Sequence, residues 1–195
     1  TVAGTKRPVT VKMRAGWDAG NLNAPDVAKR VEAAGAAAVA VHGRSAAQSY
    51  AGLSDWGLIA RVAEGLAIPV FGSGDCVEAR QIVDRLADSR VAGVLVGRGV
   101  LRNPWILAQA SDLAGGRAAR TVTSADRGRF LLDYMTLLLQ ERSGGRDGFR
   151  RTARRFAVPE AGGDRPWAEA GQTARGREKW VINKLRALCS WYSKG

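Results

Sequence analysis

Four short runs of β-branched and small apolar residues punctuate the first half of the chain, at residues 9–14, 38–43, 69–74 and 93–98. Their starts lie 29, 31 and 24 residues apart, close to the ~30-residue repeat of a strand–helix–strand unit. Near-continuous apolarity within each run predicts parallel strands covered on both faces. The intervening stretches carry helical spacing instead. Residues 25–34 place Val27, Val31 and Ala34 on one face, with Asn23 as an N-cap and Gly35 as the terminator. Residues 56–64 group Ile59, Val62 and Ala63 behind a cap at Ser54 or Asp55, and residues 77–87 group Ile82, Val83 and Leu86. Alternating strands and helices in this order predict an α/β fold around a parallel sheet.

Beyond Pro104 the pattern becomes helical. Residues 105–113 read as a short helix and residues 114–119 as a Gly/Ala/Arg linker. Ser124 stands as the cap of a long helix reaching about residue 142, with Phe130, Leu131, Tyr134, Leu137 and Leu138 on its apolar face. Residues 143–177 are rich in Gly, Arg and Pro and read as loop. Helical spacing returns over 178–192 through Val181, Leu185, Leu188 and Trp191. The expected organisation is an α/β domain over 1–113, a linker over 114–123 and a small all-helical domain over 124–195.

Composition excludes several classes. With 46% apolar and 25% charged residues in 195, the chain matches an average globular mixture and not a disordered one. No apolar run approaches the ~20 residues that span a bilayer, and the opening residues show no apolar signal segment. No membrane association is therefore expected. One histidine and two cysteines, Cys76 and Cys189, supply neither a disulfide framework nor a metal motif; a reducing, cytoplasmic setting is expected. Charge changes the picture more. The net charge is +12, of which residues 1–116 carry +3 and residues 117–195 carry +9. A basic second half suits a polyanionic partner, nucleic acid before membrane, although an Arg-rich solvated surface has the same composition.

Ligands of parallel α/β sheets gather at the carboxyl ends of the strands. There the four runs deliver Lys12 and Arg14, then His42 and Arg44, then Ser73-Gly74-Asp75, then Gly97-Arg98-Gly99. Glycines in the last two let backbone N–H groups approach a phosphate. Lys12 within an apolar strand is costly unless something pairs with it. His42 fits a ligand contact or a bond to its own loop, and Asp75 fits a helix cap as well as a ligand contact.

These segments resemble the flavin-dependent tRNA-dihydrouridine synthases. The resemblance lies in Val9-Thr10-Val11-Lys12-Met13-Arg14-Ala15-Gly16-Trp17, Val41-His42-Gly43-Arg44-Ser45, Gln48-x-Tyr50-x-Gly52, Pro69-Val70-Phe71-Gly72-Ser73-Gly74-Asp75, and Val96-Gly97-Arg98-Gly99 with Asn103-Pro104-Trp105-Ile106. It resumes more weakly at Lys184-Leu185-Arg186 and at residues 191–195. What it implies is the C-terminal half of a (β/α)8 TIM barrel, four βα units holding FMN at the mouth, followed by a helical tRNA-binding domain. By the same resemblance NADPH is the reductant and the reaction reduces a tRNA uridine to dihydrouridine. Lys12 and His42 would then contact the flavin, Ser73, Gly74 and Asp75 would stand for the family's Asn-Gly-Asp stretch, and Gly97 with Arg98 would hold the FMN phosphate. Arg14 and Arg44 would face the RNA.

Two departures accompany the resemblance. Ser73 stands where the family has asparagine. The four strands match the second half of the barrel, so the segment bearing the family's proton-donating cysteine has no counterpart in this chain, and Cys76 and Cys189 stand in other contexts. The chain alone is therefore expected to be inactive. Open sheet edges would invite dimerisation or aggregation. Two other readings fit the same residues: a flavin- or phosphate-binding barrel oxidoreductase acting on a small metabolite, and a non-catalytic RNA-binding half barrel.

Overall fold

The computed structural model describes residues 2–140 and 174–192. The chain divides into two compact units, Thr1–Thr121 and Val122–Gly195.

In the first unit a 3-10 turn at Val2–Gly4 precedes strand β1 (Thr10–Arg14), helix α1 (Ala24–Ala33), β2 (Ala38–His42), α2 (Trp56–Glu64), β3 (Val70–Ser73), α3 (Ala79–Asp88), β4 (Gly93–Leu95), α4 (Arg98–Arg102) and α5 (Ile106–Ala114). All strand pairs are parallel, and the strand order is β1-β2-β3-β4 without reversal. This order, with no switch point among the described strands, is consistent with part of a barrel-like α/β fold.

The two faces of the sheet differ. Val39, Val41 and Val70 are buried against Trp56, Leu58, Ile59 and Val62 of α2, in a core that also takes in Ile82 and Ile106. The opposite face carries Thr10, Lys12 and Arg14, Ala40 and His42, Phe71 and Ser73, and Leu95, aligned by register. Thr10, Lys12 and Leu95 on that face are exposed. The expectation of strands covered on both faces is therefore corrected. Apolar residues alternate with polar or small ones on β1 and with small ones on β2, so one face suffices to bury the branched side chains.

Helix limits follow local chemistry. The carboxylate of Asp55 accepts the Leu58 N–H at 2.8 Å and Gly65 closes α2. Asn23 stands at the start of α1 without a side-chain capping bond, and Gly35 follows the helix at φ +85°. Ala24 and Ala28 make the buried face of α1, while Val27 is only half-buried. Helix α3 begins two residues later than its spacing suggests, because the Gln81 side chain accepts the N–H groups of Val77 and Glu78. The fourth run is a strand only to Leu95, and Arg98 opens a short helix.

The described residues of the second unit form α6 (Ser124–Gln140) and α7 (Ala174–Tyr192). Thr123, not Ser124, caps α6: its N–H and hydroxyl both donate to Asp126, whose N–H donates back to the Thr123 hydroxyl. Leu138 and Val181 are buried, Phe130 and Tyr134 stack with centroids 6.4 Å apart, and Leu137 is exposed despite its place in the predicted apolar face. Residues 174–177 are helical, not loop; residues 143–173 lie outside the described residues. Gly128 sits exposed in α6 with nothing within 4 Å of an added Cβ. Gly128→Ala should raise the unfolding free energy of this unit by about 0.5–1 kcal/mol, the glycine-to-alanine difference in helix propensity, readable in urea denaturation.

Candidate functional site at the carboxyl ends of the strands

His42 ends β2 beside Ser73 of β3. Its Nδ1 lies 2.8 Å from the Ser73 carbonyl oxygen. A carbonyl only accepts, so Nδ1 carries the hydrogen and Nε2 is left for another partner. Lys12 is two residues before the end of β1 on the same sheet face and is exposed. The strand that seems to trap a charged amine leaves it in solvent, which removes the burial cost anticipated from its apolar neighbours.

Gly74 and Asp75 follow β3 in conformations with φ of +136° and +53°. The turn is braced from α2, where the Trp56 indole N–H donates to the Gly74 carbonyl at 2.9 Å. It turns the Asp75 carboxylate back toward β2. One oxygen accepts the Arg44 guanidinium at 2.6 Å; the other accepts the Ser54 N–H, also at 2.6 Å. Arg98 stands 3.5 Å from the first oxygen. Burial pushes the Asp75 carboxyl up, but the Ser54 N–H and the two guanidinium groups pull harder, so it titrates below the ordinary aspartate value. Asp75 does not cap α3.

Arg44 is only 3% exposed. Besides Asp75 it donates to the carbonyls of Ala51 at 3.2 Å and Gly52 at 2.7 Å, and its Nη1 is buried without a hydrogen-bond partner among the described residues. The side chain expected to face RNA is therefore turned inward, bracing the loop after β2. Arg14 likewise spends Nη1 on the carbonyls of Ser45 at 3.0 Å and Ser49 at 3.4 Å.

Arg98 remains half-exposed, with its guanidinium 5.2 Å from the Tyr50 ring centroid. Two arginines share one carboxylate, which leaves this cluster one positive charge in excess. At Gly97 an added Cβ would meet nothing within 4 Å, so the chain is open beside Arg98. Cys76 is buried and donates weakly to the Gly74 carbonyl; burial pushes its thiol up, away from the thiolate form.

The structure thus gathers His42, Ser73, Gly74, Asp75 and Arg98 at one end of the sheet and sets Lys12 on the same open face. Sequence reasoning missed Ser54 as a partner of Asp75 and Tyr50 as a partner of Arg98. Ser54 reads as a helix cap, and nothing local announces a bond to a carboxylate 21 residues away. Tyr50 stands within the quoted Gln48-x-Tyr50-x-Gly52 stretch, the one signal that marks it.

A four-stranded parallel sheet with helices between its strands, and two arginines on one carboxylate at its strand ends, defines an α/β protein. A family model described as "Dihydrouridine synthase (Dus)" matches residues 1–184, and the chain belongs to this family. Among similar proteins are a "Probable tRNA-dihydrouridine synthase" of Rhodobacter capsulatus, 45% identical over 111 residues, 57% of this chain and 34% of that protein. Another of the same description, from Rhizobium leguminosarum bv. phaseoli, is 39% identical over 138 residues, 69% of this chain and 43% of the relative. The chain thus spans about a third to two-fifths of the length of the relatives it matches. A solved nitroalkane oxidase from Streptomyces ansochromogenes shares 28% identity over 52% of this chain and 29% of its own, at a TM-score of 0.37.

Proposed function

We propose that this chain supplies the cofactor-holding wall of a tRNA-dihydrouridine synthase, an oxidoreductase whose substrate is a tRNA uridine. The observation that carries the reading is the set of side chains on the open sheet face, Lys12, His42 and Ser73, with Arg98 at its carboxyl end. In this reading the four βα units are half of a TIM barrel and the open face is its interior, facing the flavin. The basic helical unit is the tRNA-binding domain, and the setting is cytoplasmic.

The residues present fit FMN. Arg98 already shares Asp75 with Arg44, so its guanidinium is available to a phosphate, and Gly97 leaves room for that group to approach. Nε2 of His42 and the exposed ammonium of Lys12 supply polar contacts to the ring system. A cation there favours negative charge on a reduced ring. The chemistry a bound flavin supplies is hydride delivery to the C5–C6 double bond of uridine, with NADPH as reductant. We assign the proton donor to protein outside this chain: Cys76 is buried and spends its thiol on Gly74, and Cys189 belongs to the helical unit.

FMN titration followed by flavin fluorescence tests this. Arg98→Ala should weaken FMN binding about ten- to a hundredfold, the range for losing a charge-assisted hydrogen bond, and Lys12→Ala should weaken it less. Unchanged affinity in both variants would remove the site assignment. Binding to an unmodified tRNA transcript should fall steeply with added salt.

A further inference from the structure

The loops that follow β1 and β2, residues 15–23 and 43–55, are tied to each other. Ala46 N–H donates to the Gly16 carbonyl at 2.9 Å, Ala47 N–H to the Trp17 carbonyl at 2.8 Å, and Ala15 N–H to the Arg44 carbonyl at 3.2 Å. Arg14 and Arg44 brace the second loop from below through four of its carbonyls. Gly16 leaves no freedom either, since a Cβ there would collide with the backbone of Asn21. Yet this rigid pair of loops holds two large aromatic side chains in solvent: Trp17 is 72% and Tyr50 68% exposed. Aromatic rings held in water on a braced scaffold offer large contact area at low conformational cost.

The chemistry around the rings selects the partner. The Arg98 guanidinium lies 5.2 Å from the Tyr50 centroid, within cation–π range, which steadies one face of the ring while the exposure leaves the other open. The two loops otherwise carry polar residues, with Asp18 accepting from Gly20 and Asn21 and Gln48 paired with Ser45, and not a continuous apolar patch. Exposed aromatic faces beside a cluster with one positive charge in excess fit unpaired nucleobases of a polyanion, which stack on aromatic planes. We propose that Trp17 and Tyr50 form a stacking platform for unpaired nucleotides of the RNA substrate. The proposal rests on the RNA-modifying reading above and adds residues that grip the RNA strand.

The test uses the full chain with a tRNA transcript, a short oligouridine and an RNA duplex of matching length, read by fluorescence anisotropy. Trp17→Ala and Tyr50→Ala should each weaken oligouridine binding about tenfold, the effect of removing one base–aromatic stack. Trp17→Phe and Tyr50→Phe should restore most of it, and duplex binding should not change. Photocrosslinking of a 4-thiouridine-substituted transcript should place the adduct on the peptides containing Trp17 or Tyr50. If the wild-type chain binds no tRNA, both the platform and the RNA reading fall. If it binds tRNA and the alanine variants bind oligouridine equally well, the platform alone falls. Equal losses on duplex and single strand would also overturn stacking, since they would report charge only. Unchanged circular dichroism in each variant separates all of these from misfolding.

Discussion

Replacing Asp75 with asparagine should lower the unfolding free energy by about 2–3 kcal/mol at neutral pH. Breaking a buried ion pair by removing one partner costs about 3–5 kcal/mol, because the remaining charge stays buried without compensation. Arg44 is that charge: it is 3% exposed, and its Nη1 already lacks a partner among the described residues. Asp75 itself is 24% exposed, and water reaching its side of the pair sets the lower figure. Urea denaturation should show an earlier midpoint at unchanged slope. The effect has a pH signature. Folded Asp75 titrates below its ordinary value of 3.8, so the unfolded chain binds its proton first as pH falls. Its stabilisation is therefore complete above the unfolded value and is lost as pH drops through the folded one. The gap between wild type and Asp75→Asn should be constant from neutral pH down to about pH 5, narrow progressively below about pH 4 and close only below the folded value. A gap that persists at low pH would mean the carboxylate charge is not what holds Arg44. Flavin affinity should fall too, since Asp75 also steadies Arg98.

What could be read in the sequence was local. The four strands and α2 follow from runs of branched apolar residues and from a cap whose partner lies three residues away, as Asp55 and Leu58 do. The candidate site was legible as a set of strand ends, because a parallel sheet sends every carboxyl end to one side. The roles within the set were not. Asp75 meets Arg44 across 31 residues and Ser54 across 21, and no periodicity encodes a pairing of that range. Arg14 and Arg44 look like free cations in a basic chain; only the fold shows that loop carbonyls and a carboxylate take up their donors. The same limit applies to Lys12, where exposure depends on which sheet face the helices cover. In the helical unit the cap falls one residue early, Thr123 for Ser124, since two adjacent hydroxyl residues compete and Asp126 decides between them.

Gly74→Ala should be the most damaging small substitution at the site, for two independent reasons. Its φ of +136° is a conformation that L side chains rarely adopt, and forcing a non-glycine residue into a sparsely populated backbone region costs about 1–3 kcal/mol. An added Cβ would also collide with the Oγ and Cβ of Ser54 and press the His42 ring at 3.3 Å. Ser54 has little room to yield, because its N–H is committed to Asp75 and its neighbour Asp55 caps α2. Overpacking of this kind adds about 1–3 kcal/mol, for a loss of roughly 3 kcal/mol in all. The damage should also reach function: displacing Ser54 loosens Asp75, and moving the turn shifts the Ser73 carbonyl that orients His42. Denaturant unfolding and FMN titration on the same sample separate the two effects. Loss of FMN binding with stability intact would make Gly74 a ligand-approach position alone, whereas loss of both is expected from a turn that positions His42 and Asp75 together.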